Sequence, residues 1–296
     1  MKSVNDMIHV SLPHQQGYLG KNIGIAIIDT GLAPHPDYRE RIVGWMDILH
    51  EQPFPYDDSG HGSHVAGIAA GSGLLSHGQY KGVAPLANLI GIKVLNKQGN
   101  GTVSDIMKAL RWIQKNYQQY GIRIINISIG ANDRQAFDED CAFVQKVNEL
   151  WDMGLIIVAA AGNQGPGPQT ISAPGNSRKV ITVGSLPDQS SSLSSHSGSG
   201  PTLSCIKKPD VVAPGSHIIS CCPPNRGKTF SYSVKSGTSM STPVVSGAIA
   251  VLLSKYPYLS PREVKIRLKR SCTDLHLPHE QQGWGLLHVS NLLKKQ

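Results

Sequence analysis

Five nearly continuous apolar runs constrain this chain more than anything else in it. They are "IGIAII" (23–28), "LIGIKVL" (89–95), "IRIINISI" (122–129), "LIIVAAA" (155–161) and "VITVG" (180–184). Hydrophobicity that continues rather than alternates marks strands covered on both faces, which is how parallel sheets read. Helical periods lie between the runs. In 103–119, Ile106, Leu110, Ile113 and Tyr117 recur on one face. In 137–153, Phe137, Cys141, Val144 and Trp151 do the same, and Gly154 stops the helix. Ser260-Pro261-Arg262-Glu263 reads as a capping box with proline at the first helical position. The expected fold is α/β: a single doubly wound domain over 21–296 with a mostly parallel central sheet, preceded by a short N-terminal extension, 1–20. "DQSSSLSSHSGSG" (188–200) reads as a surface loop rather than a boundary, because strand-like sequence resumes at Val211–Val212.

A chain of 296 residues can bury a full core. No apolar run approaches the roughly 18–20 residues of a membrane helix, and the longest, Val244–Leu253, is interrupted by Ser246 and Gly247. The N-terminus carries Asp6 and no apolar core of a secretory signal. The expectation is a cytoplasmic protein with no membrane partner, a secreted mature fragment being the alternative; Met1 favours the former. The five cysteines (141, 205, 221, 222, 272) cannot all pair and show no C-x-x-C spacing, so reduced thiols are expected, with Cys141 in the core. A net charge of +8 raises the question of nucleic acid. The basic residues are spread, however. Their one concentration, "PREVKIRLKR" (261–270), reads as the outer face of a helix with Val264 and Leu268 turned inward, so no nucleic-acid partner is expected.

In such folds the chemistry collects at the carboxyl ends of the strands. The first run ends in Asp29, within "AIIDTG", and a buried apolar run ending in a carboxylate needs a reason. His61 opens "GHGSHVAGIAAG" (60–71), whose small residues suit a tightly buried helix. The fourth run leads into "AAAGNQGPG" and puts Asn163 at its end. "SGTSMSTPVVSGAIAVLL" (236–253) sets Ser239 between Gly237 and a buried helix. Each has a structural alternative. Asp29 could cap a turn, His61 or His64 could be a satisfied core histidine or hint at a metal, Asn163 could be a turn residue, and Ser239 could belong to an N-cap. Together they supply an acid, an imidazole, an amide donor and a hydroxyl, which are the four functions of an acyl-transfer site.

These motifs resemble those of the subtilisin-like serine peptidases, the subtilases. "AIIDTG", "GHGSHVAG", "AAAGN" and "GTSMSTPVVSG" match in the order Asp…His…Ser, from about Gly20 to about Val289. "YKGVAPLANLIGIKVLNKQGNGTVSDI" and "KPDVVAPG" are most similar to the bacterial intracellular AprX-type branch. The resemblance implies Ser239 as nucleophile, His61 as general base and acid, Asp29 as its orienting carboxylate, and the Asn163 amide with the Ser239 N–H as oxyanion donors. Gly237 would permit close approach, and Pro243 would help set the helix start. A substrate would bind as a strand between Gly99, Asn100, Gly101 and Ser128, Ile129, Gly130. Val103 and Ile106 would edge the P4 pocket. Ser128 to Ala131 and Ala159 to Gly162, Ala160 among them, would wall the P1 pocket, with Ser172 at its base and a cis Ala173–Pro174 bond beside it. The acid-free pocket segments imply an apolar P1 residue.

Three departures stand out. Ser63 replaces the usual threonine and keeps its hydroxyl. "AAGSGLLSHGQYKG" lacks a recognisable calcium loop, so no metal or cofactor is expected, and only about 20 residues precede the first strand where secreted relatives carry a folding prodomain. Rival classes fit less well. "DTG" also marks aspartic proteases, which need two such carboxylates on an all-β fold. An α/β-hydrolase needs G-x-S-x-G, but Ser241 occupies the second glycine position. A peptide-binding pseudoprotease would lack a triad residue, and a specialised leader-peptide processing enzyme remains the alternative to a general one. Oligomeric state is not legible.

Overall fold

A computed structural model describes residues 1–129, 140–186, 196–224 and 229–295. Seven strands, β1 (Gly24–Asp29), β2 (Ile42–Asp47), β3 (Asn88–Lys93), β4 (Ile122–Ile127), β5 (Ile156–Ala160), β6 (Ile181–Ser185) and β7 (Val211–Ala213), form one parallel sheet in the order β2-β3-β1-β4-β5-β6-β7. The chain begins at the centre, winds to one edge, and then crosses β1 to build the other. The carboxyl end of β1, where Asp29 sits, is therefore the switch point at which doubly wound sheets open a crevice.

The strands named from continuous hydrophobicity are all present, shifted by a residue or two. β1, β5, β6 and β7 are buried along their whole length. The expectation omitted β2, because it is an edge strand with a mixed burial pattern. It also omitted an antiparallel hairpin of β8 (Ile218–Cys222) and β9 (Ser231–Lys235), whose sequence is polar and only partly buried.

The helices are α1 (Lys2–Met7), α2 (Ser11–Gln15), α3 (His61–Ala70), α4 (Val103–Asn116), α5 (Ala142–Asp152), α6 (Thr238–Lys255), α7 (Pro261–Ser271), α8 (His279–Gln282) and α9 (Val289–Leu292). α3 and α6 pack together on the sheet, and α4 and α5 pack together. α6 is buried on nearly every side. It passes α3 closely because Gly247 has no side chain; a Cβ there would lie 2.7 Å from the Val83 Cβ and 2.9 Å from the Ala69 carbonyl. α7 carries the expected capping box, with Val264 and Leu268 buried.

Two readings need correction. α5 begins at Ala142, so Cys141 is its N-cap and half-buried rather than a core residue on its face; Phe137 lies outside the described residues. Pro243 lies in the second turn of α6 rather than at its start. All five cysteines are free thiols. Residues 1–20 are not loosely attached, since Met1, Val4, Ile8 and Val10 join the main core. "KPDVVAPG" contributes a buried Lys208–Asp210 pair (2.6 Å) at the start of β7, at the end of the sheet opposite Asp29. Among the described residues no helix is long and apolar enough to cross a membrane.

Candidate active site

Asp29 ends β1 fully buried. Its Oδ1 accepts from the Thr30 N–H (2.7 Å) and from His61 Nδ1 (2.7 Å), while Oδ2 is buried without a protein partner. His61 is the first residue of α3, and its ring remains 26% exposed. A carboxylate only accepts, so Nδ1 carries the proton and Nε2 is left as a base. Burial pulls the imidazole pKa down and Lys235 adds to that pull. The charge and hydrogen bond of Asp29, helped by Asp57, outweigh both, so the pKa is raised.

The loop before α3 is built around Asp57. Its carboxylate accepts from the N–H groups of Ser59 (3.1 Å), Gly60 (2.8 Å) and Ser63 (2.8 Å), and from the hydroxyls of Thr30 (2.9 Å) and Ser63 (2.7 Å). The Ser63 hydroxyl is thus used, and it also accepts from the Ala33 N–H at 3.0 Å. Gly62 is required, because a Cβ there would lie 2.1 Å from the Gly31 carbonyl oxygen. His64, one turn on, is fully buried; its Nε2 faces the carbonyls of Ile218 and Ser233, both at 3.1 Å, and burial pushes its pKa down to about 3. It is a structural histidine rather than a ligand or base.

Ser239 is the second residue of α6, in the first turn, where N–H groups have no intrahelical acceptor. Its hydroxyl does not meet His61. It donates to the Ser128 carbonyl at 2.8 Å. The Ser128 hydroxyl in turn donates to the Ser239 carbonyl at 3.1 Å. That carbonyl is free because the residue four positions on is Pro243, which has no N–H to give it. Behind Ser128, Asn126 donates to the Ser128 hydroxyl (2.9 Å) and accepts from Ser246 (2.8 Å). Pro243 and Ser128 together therefore tie the start of α6 to the end of β4.

Asn163 follows β5. Its Oδ1 accepts from the Thr238 N–H and the Thr238 hydroxyl, both at 3.0 Å. A backbone N–H can only donate, so the contacting atom is the oxygen and the Nδ2 donor faces the other way, beside Gly237. A Cβ on Gly237 (φ +137°) would lie 3.3 Å from Nδ2.

The expected substrate segments fall around these groups. Ile127 and Ala159 are in register on β4 and β5, so Ser128 and Ile129 continue level with Ala160 and beyond. Gly162 (φ +97°) lies against Ser172, whose hydroxyl would be 2.2 Å from a Cβ at 162. Ser172 N–H donates to Ala161 O (2.9 Å), and the Ala173–Pro174 bond is cis. Asn96 organises the segment before α4 by accepting from the Gln98 and Asn100 N–H groups, both at 3.0 Å. Asn100 O also accepts from Asn96 N–H (2.9 Å), so the Asn100 main chain is held within the turn while the residue itself is exposed, flanked by Gly99 and Gly101. Val103 is exposed and Ile106 nearly buried on the first turns of α4. Gly130 and Ala131 lie outside the described residues.

The fold family raises the question of calcium after α3. Asp37 is the buried carboxylate facing that segment, and it accepts from the N–H groups of Gly73 (3.2 Å) and Leu75 (3.0 Å) and from the Tyr232 hydroxyl (2.9 Å). His35, Asp37 and Cys221 stand within 4.8 Å of one another, but the Cys221 thiol points to Asp37 and burial raises its pKa. A cation here would face hydrogens on every side, so these residues do not fit one.

One residue at this end of the sheet was not singled out from the sequence. Lys93 ends β3 fully buried, in register with Asp29. The argument that marks Asp29, a charge closing an apolar run, applies equally to the lysine in "LIGIKVL".

A serine at the start of a helix, an imidazole ordered by a buried carboxylate and a side-chain amide thus meet at the switch point of a seven-stranded parallel sheet. The family model for the subtilase family matches residues 20–285, and the chain belongs to that family. It is 45% identical over 273 residues to "Serine protease AprX" of Bacillus subtilis (strain 168), covering 86% of this chain but only 62% of that protein's length. It is 38% identical over 281 residues to "Subtilisin DY" of Bacillus licheniformis, covering 93% and 92% of the two chains. Among solved structures, Sphericase superposes with a TM-score of 0.76 at 29% identity, covering 91% of this chain and 92% of that one. A cold-adapted subtilisin-like serine proteinase does so with 0.73 at 29% identity, covering 92% and 90%.

Proposed function

We propose that this chain is an endopeptidase that cleaves peptide bonds through an acyl-enzyme on Ser239. The observation that carries the reading is the His61 ring ordered by buried Asp29 (2.7 Å), at the same sheet end as an Asn163 amide whose oxygen is held by Thr238 at the start of α6, leaving Nδ2 as the donor that faces away. The reading requires the Ser239 Oγ to leave Ser128 O, to which it donates at 2.8 Å, and turn to His61 Nε2. Oγ then attacks the substrate carbonyl carbon as Nε2 takes the hydroxyl proton. The oxyanion is held by Asn163 Nδ2 and the Ser239 N–H, where the α6 N-terminus adds partial positive charge. Imidazolium gives its proton to the leaving amine, and water hydrolyses the ester by the same steps in reverse order.

The peptide lies as a strand between the main-chain groups of Gly99 and Gly101 on one side and Ser128 and Ile129 on the other. Its P1 N–H takes the Ser128 carbonyl that the serine hydroxyl gives up. The P1 side chain enters between Ala160–Gly162 and Ser172, and P4 reaches Val103 and Ile106. No acid lines 128–129, 159–163 or 172–174, so a basic P1 residue would bury an unpaired charge and an apolar one is preferred. The reading requires no metal or cofactor. A P1-varied fluorogenic peptide library tests it: wild type should favour Leu, Met, Phe or Tyr with modest discrimination, and Ser172→Asp should shift the preference to Lys and Arg. Cleavage by wild type chiefly after Lys or Arg would overturn the specificity.

A further inference from the structure

The side chain of Lys93 is entirely out of water. A buried ammonium is tolerated only if each of its three N–H groups finds an acceptor. Lys93 Nζ donates to Thr30 O (2.5 Å), Asp58 Oδ1 (2.7 Å) and Leu95 O (2.9 Å). The Tyr56 ring covers it at 5.0 Å from the ring centre, and the Tyr56 hydroxyl is itself held by Asp47 at 2.8 Å.

The three acceptors come from three segments that feed the site. Thr30 follows Asp29. Asp58 lies three residues before His61, beside the Asp57 that shapes the loop. Leu95 leads into the 96–101 turn and its Gly99–Gly101 edge. The Asp29 end is also fixed by other bonds, since the Thr30 hydroxyl joins Asp57 (2.9 Å) and the Gly62 N–H (2.9 Å). On the Leu95 side Asp29 O accepts from the Val94 N–H (2.9 Å) and, at greater length, from the Leu95 N–H (3.3 Å), so beyond Val94 the main-chain tie lengthens. An apolar residue at 93 could fill the strand end, but only a cation with three donors joins these oxygens.

We propose that Lys93 is a positioning residue that fixes the substrate edge at Leu95–Gly101 relative to the Asp29–His61 pair, so that an extended peptide meets Ser239 in register. The proposal rests on the endopeptidase reading. Lys93 touches neither substrate nor reacting atoms; it acts through the three segments it joins.

The test uses wild type, Lys93→Met, Lys93→Arg and Asp58→Asn, each titrated with a fluorophosphonate so that kcat and KM refer to active sites. Two fluorogenic substrates are compared, one reaching P4 and one with a P1 residue alone. Lys93→Met should lower per-site kcat/KM about 10- to 100-fold on the long substrate and less than about 3-fold on the short one, the scale of an ångström-level misplacement. Lys93→Arg should restore most of the loss. Asp58→Asn, at a side chain that is 37% exposed, keeps an amide oxygen as acceptor but removes the negative charge beside Lys93, and should shift the same ratio in the same direction by a smaller factor; it decides the matter if Lys93→Met does not fold. A lower Tm and fewer titratable sites with unchanged per-site kinetics, or a loss equal on both substrates, would overturn the proposal. A wild-type protein with no titratable serine would instead overturn the endopeptidase reading, before any variant is compared.

Discussion

His61 and His64 sit three residues apart on α3. His61 faces a buried carboxylate on one side and solvent on the other, and its pKa is raised by the Asp29 charge and hydrogen bond against the pull of burial. His64 faces two carbonyls of the β8–β9 hairpin, has no charged partner, and is held neutral by burial down to about pH 3. The same side chain keeps a basic nitrogen toward solvent in one place and is a neutral strut in the other. What separates them is the partner: a carboxylate rewards protonation, whereas carbonyls deep in the protein reward only an N–H. Placement on one motif, "GHGSH", therefore says little until the partners are known.

The sharpest break between the two sites is expected from alanine. Ser239→Ala or His61→Ala should lower kcat on the order of 10⁶, the scale known for triad variants of subtilisin, with little change in Tm. His64→Phe should do the reverse. It removes a bridge to two carbonyls and should cost about 1–3 kcal/mol in urea unfolding, while kcat per titrated site stays near wild type. A His64 variant that folds but loses per-site turnover would collapse the distinction.

The next effect concerns the carboxylate. Asp29→Asn should cost about 10⁴ in kcat, because the amide favours the wrong imidazole tautomer. The reaction needs neutral His61, so wild-type kcat/KM should rise with pH through an apparent pKa above the ordinary value of about 6.5. Asp29→Asn should move that acid limb downward; an unmoved limb in the pH–rate profile would mean that Asp29 does not set the His61 charge.

Asn163→Ala should lower kcat roughly 10²–10³-fold with little change in KM, since the amide acts on charge that exists only in the transition state. A KM effect at constant kcat would make Asn163 a binding residue alone.

Per pH unit, the smallest step is again at His64. Its folded pKa lies below its unfolded one, so between about pH 6.5 and about pH 3 the unfolded chain holds a proton that the folded one does not. Stability should therefore fall as pH falls, by up to ~1.4 kcal/mol per pH unit from this group, and His64→Phe should flatten the slope.

Much of this arrangement is legible in the residues themselves. Asp29, His61, Asn163 and Ser239 each break a local pattern at a strand end or helix start, and the structure brings all four to the carboxyl edge of one sheet. What could not be read depends on contacts distant in sequence. β2, β8 and β9 are half-buried and lack a clean period. α5 starts at Ala142 rather than near 137, because apolar spacing does not fix a helix end. The Ser239 hydroxyl rests on Ser128 O, and the effect of Pro243 on the Ser239 carbonyl appears only when β4 and α6 are side by side. Lys93 was within reach of the same reasoning as Asp29, but its three partners lie on other segments.

The central claim, that Ser239 is a nucleophile served by His61 and not by His64, is tested most directly by fluorophosphonate labelling followed by mass mapping of the modified peptide. The account predicts one adduct per chain, on Ser239, lost in Ser239→Ala, strongly slowed in His61→Ala and retained in folded His64→Phe. An adduct on another residue, or labelling that survives Ser239→Ala, would contradict it.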